Sequence, residues 1–437
     1  MTLTPTDQKL PQAPRAATAE FWRFAFTVIV CIYHLEIFYA KRDLLVSGSS
    51  AVEFFFILAG FLMARSAGRY HNTRTSPVTV REAQAKALDF VKKKLKAIYP
   101  VLIIVLLLGI LVFPAMPTSF ADRLKALQNT EWELLILVGT PFGYNNGMAP
   151  IVPLWFLTAL IVVGYLFTYL IYKHYNFMKF AAPLIGVLFM VYFTLNSTLI
   201  LDFYVKMGFF NAGMIRAIAE ISLGISVFFL YEYLSKIKFG MVLRVLLSLL
   251  ELYAIYRFFA LTLNQPIGMD NFRRLVYIMI IVLFSFLNAT AFSRLLNRRI
   301  WNHLAKISLA MYICHFNLIM IYFKYLGSLK MKLFQRSATS SLARTLSKFL
   351  QGTGGYDERF NAVPLSWKDM LFFIVLVVAV STLIVLFIAG VKKFIVRPCY
   401  AKYLQNQQAK ELEQAIGQAD AGTNEKSEET DSETLPL

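Results

Sequence analysis

Two residues in the first apolar stretch have side chains that can do chemistry. Arg23 and His34 are eleven residues apart, close to three helical turns, so a helix carries both on one face about 16 Å apart along its axis. Histidine changes charge near neutral pH and suits removal of a proton from a hydroxyl group. The spacing therefore predicts a cation at one end of the helix and a general base deeper inside it.

Two carboxylates lie near this pair. Glu36 follows His34 by two residues and leaves its face, which favours a structural ion-pair role. Glu53 begins the next apolar stretch, where it either orients His34 or is a carboxylate at a helix N-terminus. Because ionisable groups in a bilayer are costly and mostly face a protein interior or cavity, these neighbours favour a functional His34 over a buried ring that only bonds a carbonyl.

The composition is that of a polytopic membrane protein. The chain has 437 residues, of which 57% are hydrophobic, and a mean hydropathy of +0.56; soluble domains are about 45–50% apolar. Apolar blocks of about 17–25 residues have the length of membrane-spanning helices. We predict an all-α transmembrane bundle of about ten helices, near residues 21–41, 50–66, 97–115, 152–173, 180–197, 211–233, 241–263, 273–293, 304–327 and 369–395.

The basic residues predict the orientation of the bundle. The net charge is +18, and Lys and Arg concentrate in alternate connections, most densely between residues 65 and 96. Because Lys and Arg gather in cytoplasmic loops, this charge requires no nucleic-acid partner. An even number of helices then predicts that both termini are cytoplasmic, with segment 1–20 preceding the first helix.

We predict one transmembrane domain over residues 21–398 and a disordered cytoplasmic tail over 399–437. Within the domain, the outer segment 328–367 is basic and partly apolar. It is either an interfacial amphipathic helix or a basic lip that gathers an anionic acceptor. Cys31, Cys314 and Cys399 form no CxxC pair, and we expect neither a disulfide nor a metal site.

Three further groups of residues could contribute to a site. Lys93, Lys94 and Lys96 precede Ile-Tyr-Pro at the start of the third helix, where they either flank a membrane span or bind an anion. Arg216 and Glu220 are one turn apart and form either a self-neutralising pair or part of a site. A third group shares one helix face and could line a cavity opposite His34; its members are Ser308, Tyr312 and His315.

The Arg23–His34 pair, followed by Glu53-Phe-Phe-Phe-Ile-Leu-Ala-Gly-Phe61, resembles the opening of the acyltransferase 3 family. Ala59 stands where the family usually has Ser. The lysine run resembles the arginines that family members carry before Ile-Tyr-Pro. The later groups resemble the family's Arg-x-x-x-Glu and Ser-Tyr-x-x-His patterns, and the resemblance extends over about residues 23–397.

The resemblance implies an O-acyltransferase in the plasma membrane (the bacterial inner membrane). Such an enzyme takes an acyl group, commonly acetyl, from cytoplasmic acyl-CoA and places it on a hydroxyl of a surface or lipid-linked polysaccharide. It implies His34 as the catalytic residue, with Glu53 and Arg23 beside it, and Lys93, Lys94, Lys96 and Arg216 on the donor side. The alternative is a proton-coupled transporter or flippase of a glycan or small anion, which would not depend on acyl-CoA.

Overall fold

The fold is a bundle of long helices in a computed structural model. The structure describes residues 16–38, 44–112, 154–196, 206–207, 210–266, 271–336, 339–350, 355–356, 362–363, 367–401, 403–405 and 407–408. Within this part of the chain the long helices are α1 (Ala17–Phe38), α2 (Ala51–Asn72), α3 (Val80–Val112), α4 (Leu154–Lys173), α5 (Tyr175–Asn196), α6 (Ala212–Leu234), α7 (Met241–Asn264), α8 (Asn271–Leu287), α10 (Ile300–Arg336) and α12 (Trp367–Val391).

Short elements complete the described part of the chain. They are a 3₁₀ turn (Gly48–Ser50), the helices α9 (Ala291–Leu295) and α11 (Ser341–Leu350), and a π-helical turn (Lys392–Val396). Two antiparallel pairs of two-residue strands join β1 (Lys206–Met207) to β2 (Phe210–Asn211) and β3 (Gly355–Tyr356) to β4 (Ala362–Val363). The all-α prediction is confirmed, because these strands build no larger sheet among the described residues.

Each of the ten predicted segments overlaps one of the long helices of the described residues, but the number of helices that cross the membrane stays a prediction. Six described helical stretches are long and apolar enough to cross a membrane, including α7, whose charged residues interrupt its apolar sequence. Several helices extend beyond the predicted spans, since charged residues end an apolar window without ending a helix. Thus α10 continues to Arg336, and the residues after α12 stay helical as far as residue 401. The separate helix α11 lies within the segment 328–367 that we predict to be an outer loop.

The helix ends meet in pairs that agree with the predicted sides. At the predicted cytoplasmic side, Thr18 of α1 donates a hydrogen bond to the Ser293 carbonyl of α9 (2.7 Å). At the predicted outer side, the Ser47 amide donates to the Thr262 carbonyl near the end of α7 (3.1 Å). Which of these sides is cytoplasmic, and hence where the termini lie, stays a prediction.

Two glycines let α2 and α6 pack backbone to backbone. A Cβ atom at Gly60 would collide with the carbonyl oxygen of Ile221, and one at Gly224 would collide with the carbonyl oxygen of Ile57. Small residues permit this close approach between membrane helices. The contact fixes the relative position of the two helices, and both carry charged residues toward each other.

A capping box forms the turn from α2 to α3. The Thr79 amide donates to Oε2 of Glu82 (2.8 Å), and the Glu82 amide donates back to Oγ1 of Thr79 (3.2 Å), the reciprocal pattern of a helix start. Arg74 adds an ion pair to the same carboxylate (2.7 Å). The backbone hydrogen bond from Thr79, followed by the Arg74 contact, lowers the pKa of Glu82 to about 2.

The chain divides into two compact units, at residues 382 and 383. The first unit contains all the residues of the site described below. The second consists, among the described residues, of the later part of α12 and the helical residues that follow it. The tail from residue 409 onward lies outside the described residues.

Candidate active site

The site begins on α1, which brings a cation and an imidazole to one face as the sequence predicts. Arg23 is one-third exposed and pairs with Glu20 one turn earlier (3.1 Å). His34 lies near the other end of the helix, and its Nδ1 is 2.9 Å from the carbonyl oxygen of Val30. Both residues therefore have one local partner and keep part of their side chain accessible.

A second histidine contacts the first. Nε2 of His315 on α10 lies 3.2 Å from Nδ1 of His34, and the ring centroids are 4.9 Å apart. The Nδ1 atom of His315 faces the carbonyl oxygens of Tyr312 (2.8 Å) and Met311 (3.2 Å). The polar face predicted for α10 thus reaches His34 directly.

These contacts determine which nitrogen atoms carry hydrogen in the neutral rings. A carbonyl oxygen can only accept, so Nδ1 of His315 must donate to Tyr312, and its Nε2 then has a lone pair. Nδ1 of His34 likewise carries hydrogen, which it shares between the Val30 carbonyl and Nε2 of His315. The lone pair of His34 is therefore on Nε2, for which no partner occurs among the described residues.

The two histidines differ in accessibility. His315 is fully buried, with none of its surface exposed, whereas His34 is only partly buried. A substrate can therefore approach the ring of His34 but not that of His315. This arrangement suits His34 for proton transfer and His315 for holding its ring in one orientation.

Glu53 lies in a separate buried cluster of charged residues. Its Oε1 is 3.5 Å from Nη2 of Arg216 and accepts a hydrogen bond from Nδ2 of Asn271 (3.0 Å). Nε of Arg216 is also 3.5 Å from Oε1 of Glu220. The described contacts therefore pair Glu53 with Arg216 and bring His315, rather than this carboxylate, to Nδ1 of His34.

Two aromatic residues lie beside Arg216, and one of them, Tyr312, also reaches the histidine pair. The guanidinium of Arg216 lies over the ring of Trp155, 5.3 Å from its centroid, a cation–π geometry. Tyr312 is buried, lies close enough to Arg216 for an electrostatic interaction, and has its ring centroid 6.0 Å from that of His315. Ser308, one turn earlier, is buried and donates to the carbonyl of Leu304 (3.4 Å).

The three candidate lysines at the start of α3 have different surroundings. Lys94 is partly buried, lies over the ring of Phe90 (5.4 Å), and is close enough to Arg23 for the two charges to interact. Lys93 is exposed and pairs with Asp89 of its own helix (2.6 Å), and Lys96 is also exposed. Of the three lysines, Lys94 is therefore the one that interacts with Arg23, which lies on the same helix as His34.

Comparison with known proteins identifies the family. The family model described as an acyltransferase domain, Acyl_transf_3, matches residues 19–391. The chain belongs to the acyltransferase 3 family. The match includes both histidines, the Glu53 cluster and the Arg23–Lys94 pair, and it makes the protein a multi-pass membrane acyltransferase. No match was found among curated proteins or among solved structures.

Two polar residues of this acyltransferase were not among the sequence candidates. Asn271 begins α8 and reaches Glu53, 218 positions away in the chain. Arg274 is fully buried, and its Nη2 donates to the carbonyls of Leu261, Gln265 and Pro266 at 2.8–3.2 Å. The sequence did contain a signal for both residues, because polar and charged side chains in an apolar, membrane-spanning helix need buried partners.

Glu36, for which we predict a structural ion-pair role, makes a backbone contact near the end of α1. It is buried at the end of α1, and its Oε2 accepts a hydrogen bond from the Leu45 amide (2.9 Å). The contact secures the connection that leads to α2. Among the described residues no group of three His, Cys, Asp or Glu side chains is arranged to hold a metal ion.

Proposed function

We propose that this acyltransferase moves an acyl group, acetyl in the usual case, from cytoplasmic acyl-CoA to a sugar hydroxyl of a cell-surface or lipid-linked polysaccharide. The observation that carries the proposal is the lone pair on Nε2 of His34, which is fixed by the contacts of Nδ1 with Val30 and His315. The membrane would be the plasma membrane, the inner one in a bacterium.

The proposed reaction is a direct transfer. Nε2 of His34 takes the proton of the acceptor hydroxyl while the oxygen attacks the thioester carbonyl carbon. The C–O bond forms, the C–S bond breaks, and the imidazolium returns the proton to the departing CoA sulfur. During this cycle the Nδ1–H of His34 would keep its hydrogen bond to His315, which stabilises the transient imidazolium.

The donor would enter from the side that carries Arg23 and Lys94. Two cations within electrostatic range suit the phosphates of CoA, which Lys contacts as a point charge and Arg as a planar fork. Eleven residues of helix separate Arg23 from His34, or about 16 Å, a distance comparable to an extended pantetheine arm. The thioester would therefore reach His34 while the nucleotide stays at the cationic end.

The acceptor would approach from the opposite side. There α11 exposes Arg344 and Lys348 one turn apart, which could gather an anionic glycan. The buried Glu220 and Tyr312 would line the inner part of the acceptor path, whereas Arg216, paired with Glu53, would serve the donor. Both assignments remain part of the proposal.

Comparison of surface glycans from cells with and without the gene tests this function. Mass spectrometry should find a glycan whose mass falls by one acyl group when the gene is absent, and the purified protein should consume acyl-CoA only when that glycan is added. Transport of an unmodified glycan without any acyl-CoA requirement would instead identify a transporter or flippase.

A further inference from the structure

A groove lies where α7 begins, next to the break between α8 and α9. It encloses about 320 Å³ and is lined by Met241, Arg244, Val245, Ser248, Leu249, Ala289, Ala291 and Arg294. Its walls are almost entirely apolar, apart from Arg244, Arg294 and the hydroxyl of Ser248. The groove lies away from both histidines, since its lining belongs to α7, α9 and the residues between α8 and α9.

The groove is built by specific contacts. Asn288 follows the last residue of α8 and has a positive φ of 51°, a conformation that Asn tolerates. Nε of Arg294 donates a hydrogen bond to the Asn288 carbonyl (3.2 Å). Ser248 bridges the two sides, because its Oγ donates to the Arg244 carbonyl (2.7 Å) and accepts from the Ala291 amide (3.0 Å). The small side chains at 289 and 291 leave the space between the arginines open.

The charge of the groove is uncompensated by carboxylates. Neither Arg244 nor Arg294 takes part in an ion pair within the described part of the chain. Both guanidinium groups belong to exposed residues, and more cations flank them at the predicted cytoplasmic side, namely Lys236, Lys238, Arg298 and Arg299. An occupant of the groove should therefore be anionic.

The position of the groove identifies the class of occupant. Helix α7 is long and apolar enough to cross a membrane, yet only 28% of its apolar window is buried, so most of it lies exposed where a span would meet lipid. Met241 is 84% exposed and Leu249, two turns further, is 58% exposed. An apolar stripe that begins at two arginines at the end of a membrane span matches a phospholipid, with its phosphate at the arginines and an acyl chain along the stripe.

We propose that this groove is a binding site for an anionic phospholipid of the cytoplasmic leaflet. The phosphate would contact Arg244 and Arg294, and one acyl chain would lie against Val245 and Leu249. The bound lipid would hold α7 against α9, and α9 is also the partner of Thr18 at the start of α1. The site is separate from the proposed acyl transfer and does not require it.

Native mass spectrometry of the purified full chain tests the site, with phosphatidylglycerol and phosphatidylcholine of identical acyl chains. Wild type should retain phosphatidylglycerol preferentially. Arg244→Ala with Arg294→Ala should reduce its retention at least tenfold, since each cation near an anionic lipid contributes about 1 kcal/mol. Ala291→Phe, which fills the groove without changing charge, should reduce retention similarly.

Arg298→Ala with Arg299→Ala is the matched control, because it removes two positive charges on the same predicted side outside the groove. This control should lose clearly less retention than the groove variant, because its two cations would not contact the phosphate directly. Equal losses in the control and in the groove variant would overturn the proposal in favour of a diffuse charge effect. Equal retention of phosphatidylcholine, or competition by inorganic phosphate alone at similar concentrations, would also overturn it.

Discussion

Nε2 of His315 lies 3.2 Å from Nδ1 of His34, and this contact joins α10 to α1. Because His315 accepts the Nδ1–H of His34, it would position the ring and leave Nε2 available for the proposed role as the base. His315→Ala should lower kcat of acyl transfer by about fivefold, the loss expected for one neutral hydrogen bond of about 1 kcal/mol. The loss is limited because the Val30 carbonyl still accepts from His34.

His315→Gln separates this role from simple packing. Its side-chain oxygen can accept the same hydrogen bond, so this variant should recover most of the activity, with the donor KM unchanged in both variants. The pH dependence of kcat/KM should differ from wild type in the alanine variant. If alanine and glutamine at 315 are equally impaired and their pH profiles match the wild type, His315 only fills space.

Two adjacent lysines on the proposed donor side, Lys93 and Lys94, should differ in their effect on the KM for acyl-CoA. Lys94 lies near Arg23, whereas Lys93 pairs with Asp89 at the surface. Lys94→Ala should raise KM for acyl-CoA by several-fold to tenfold and leave kcat largely intact, because a phosphate contact is made equally in the ground and transition states. Lys93→Ala is the control and should keep the wild-type KM; a larger effect at Lys93 would contradict the assignment.

Local features of the site could be predicted from sequence, and long-range contacts could not. Helical periodicity alone puts Arg23 and His34 on one face, and the polar face of α10 that carries His315 follows from the same rule. The pairing of Glu53 with Arg216 depends on how α2 crosses α6, which no spacing within either helix specifies.

Sequence spacing also could not predict which lysine lies near Arg23, or which partner Glu36 contacts. Charge composition locates the basic run at the start of α3, but only packing of α3 near α1 distinguishes Lys94 from Lys93. Glu36 accepts a hydrogen bond from the Leu45 amide, a contact determined by the path of the chain after α1. Asn271 was missed because its partner Glu53 lies on another helix.

The glycine contact between α2 and α6 should be essential for stability. Gly60→Val places a side chain against the Ile221 carbonyl, and overpacking of this kind costs about 1–3 kcal/mol or more. We expect a lower thermal unfolding temperature and loss of monodisperse protein in detergent. Gly240→Ala is the control, because no atom lies within 4 Å of the added Cβ; similar behaviour of the two variants would refute the close packing.

The capping box at Glu82 predicts a pH-dependent contribution to stability. The pKa of Glu82 is lowered to about 2 in the folded protein, so its stabilising effect is present above the unfolded value, about 4.3, and is lost as pH falls toward 2. Glu82→Gln should lower Tm at pH 7 by about 2 °C or less. The difference from wild type should shrink below pH 4; a constant difference down to pH 2.5 would contradict the carboxylate's role.

The most direct test of His34 as the general base is the rate of acyl transfer by purified His34→Gln protein. The rate is measured at saturating acyl-CoA, with the glycan that has not yet been acylated as acceptor. Glutamine keeps hydrogen bonding but cannot take up and release a proton near neutral pH. We predict a rate about 10²–10⁴-fold below wild type, with membrane insertion and acyl-CoA binding retained because the proposed nucleotide site at Arg23 and Lys94 would lie about 16 Å away. A rate close to wild type would contradict His34 as the general base.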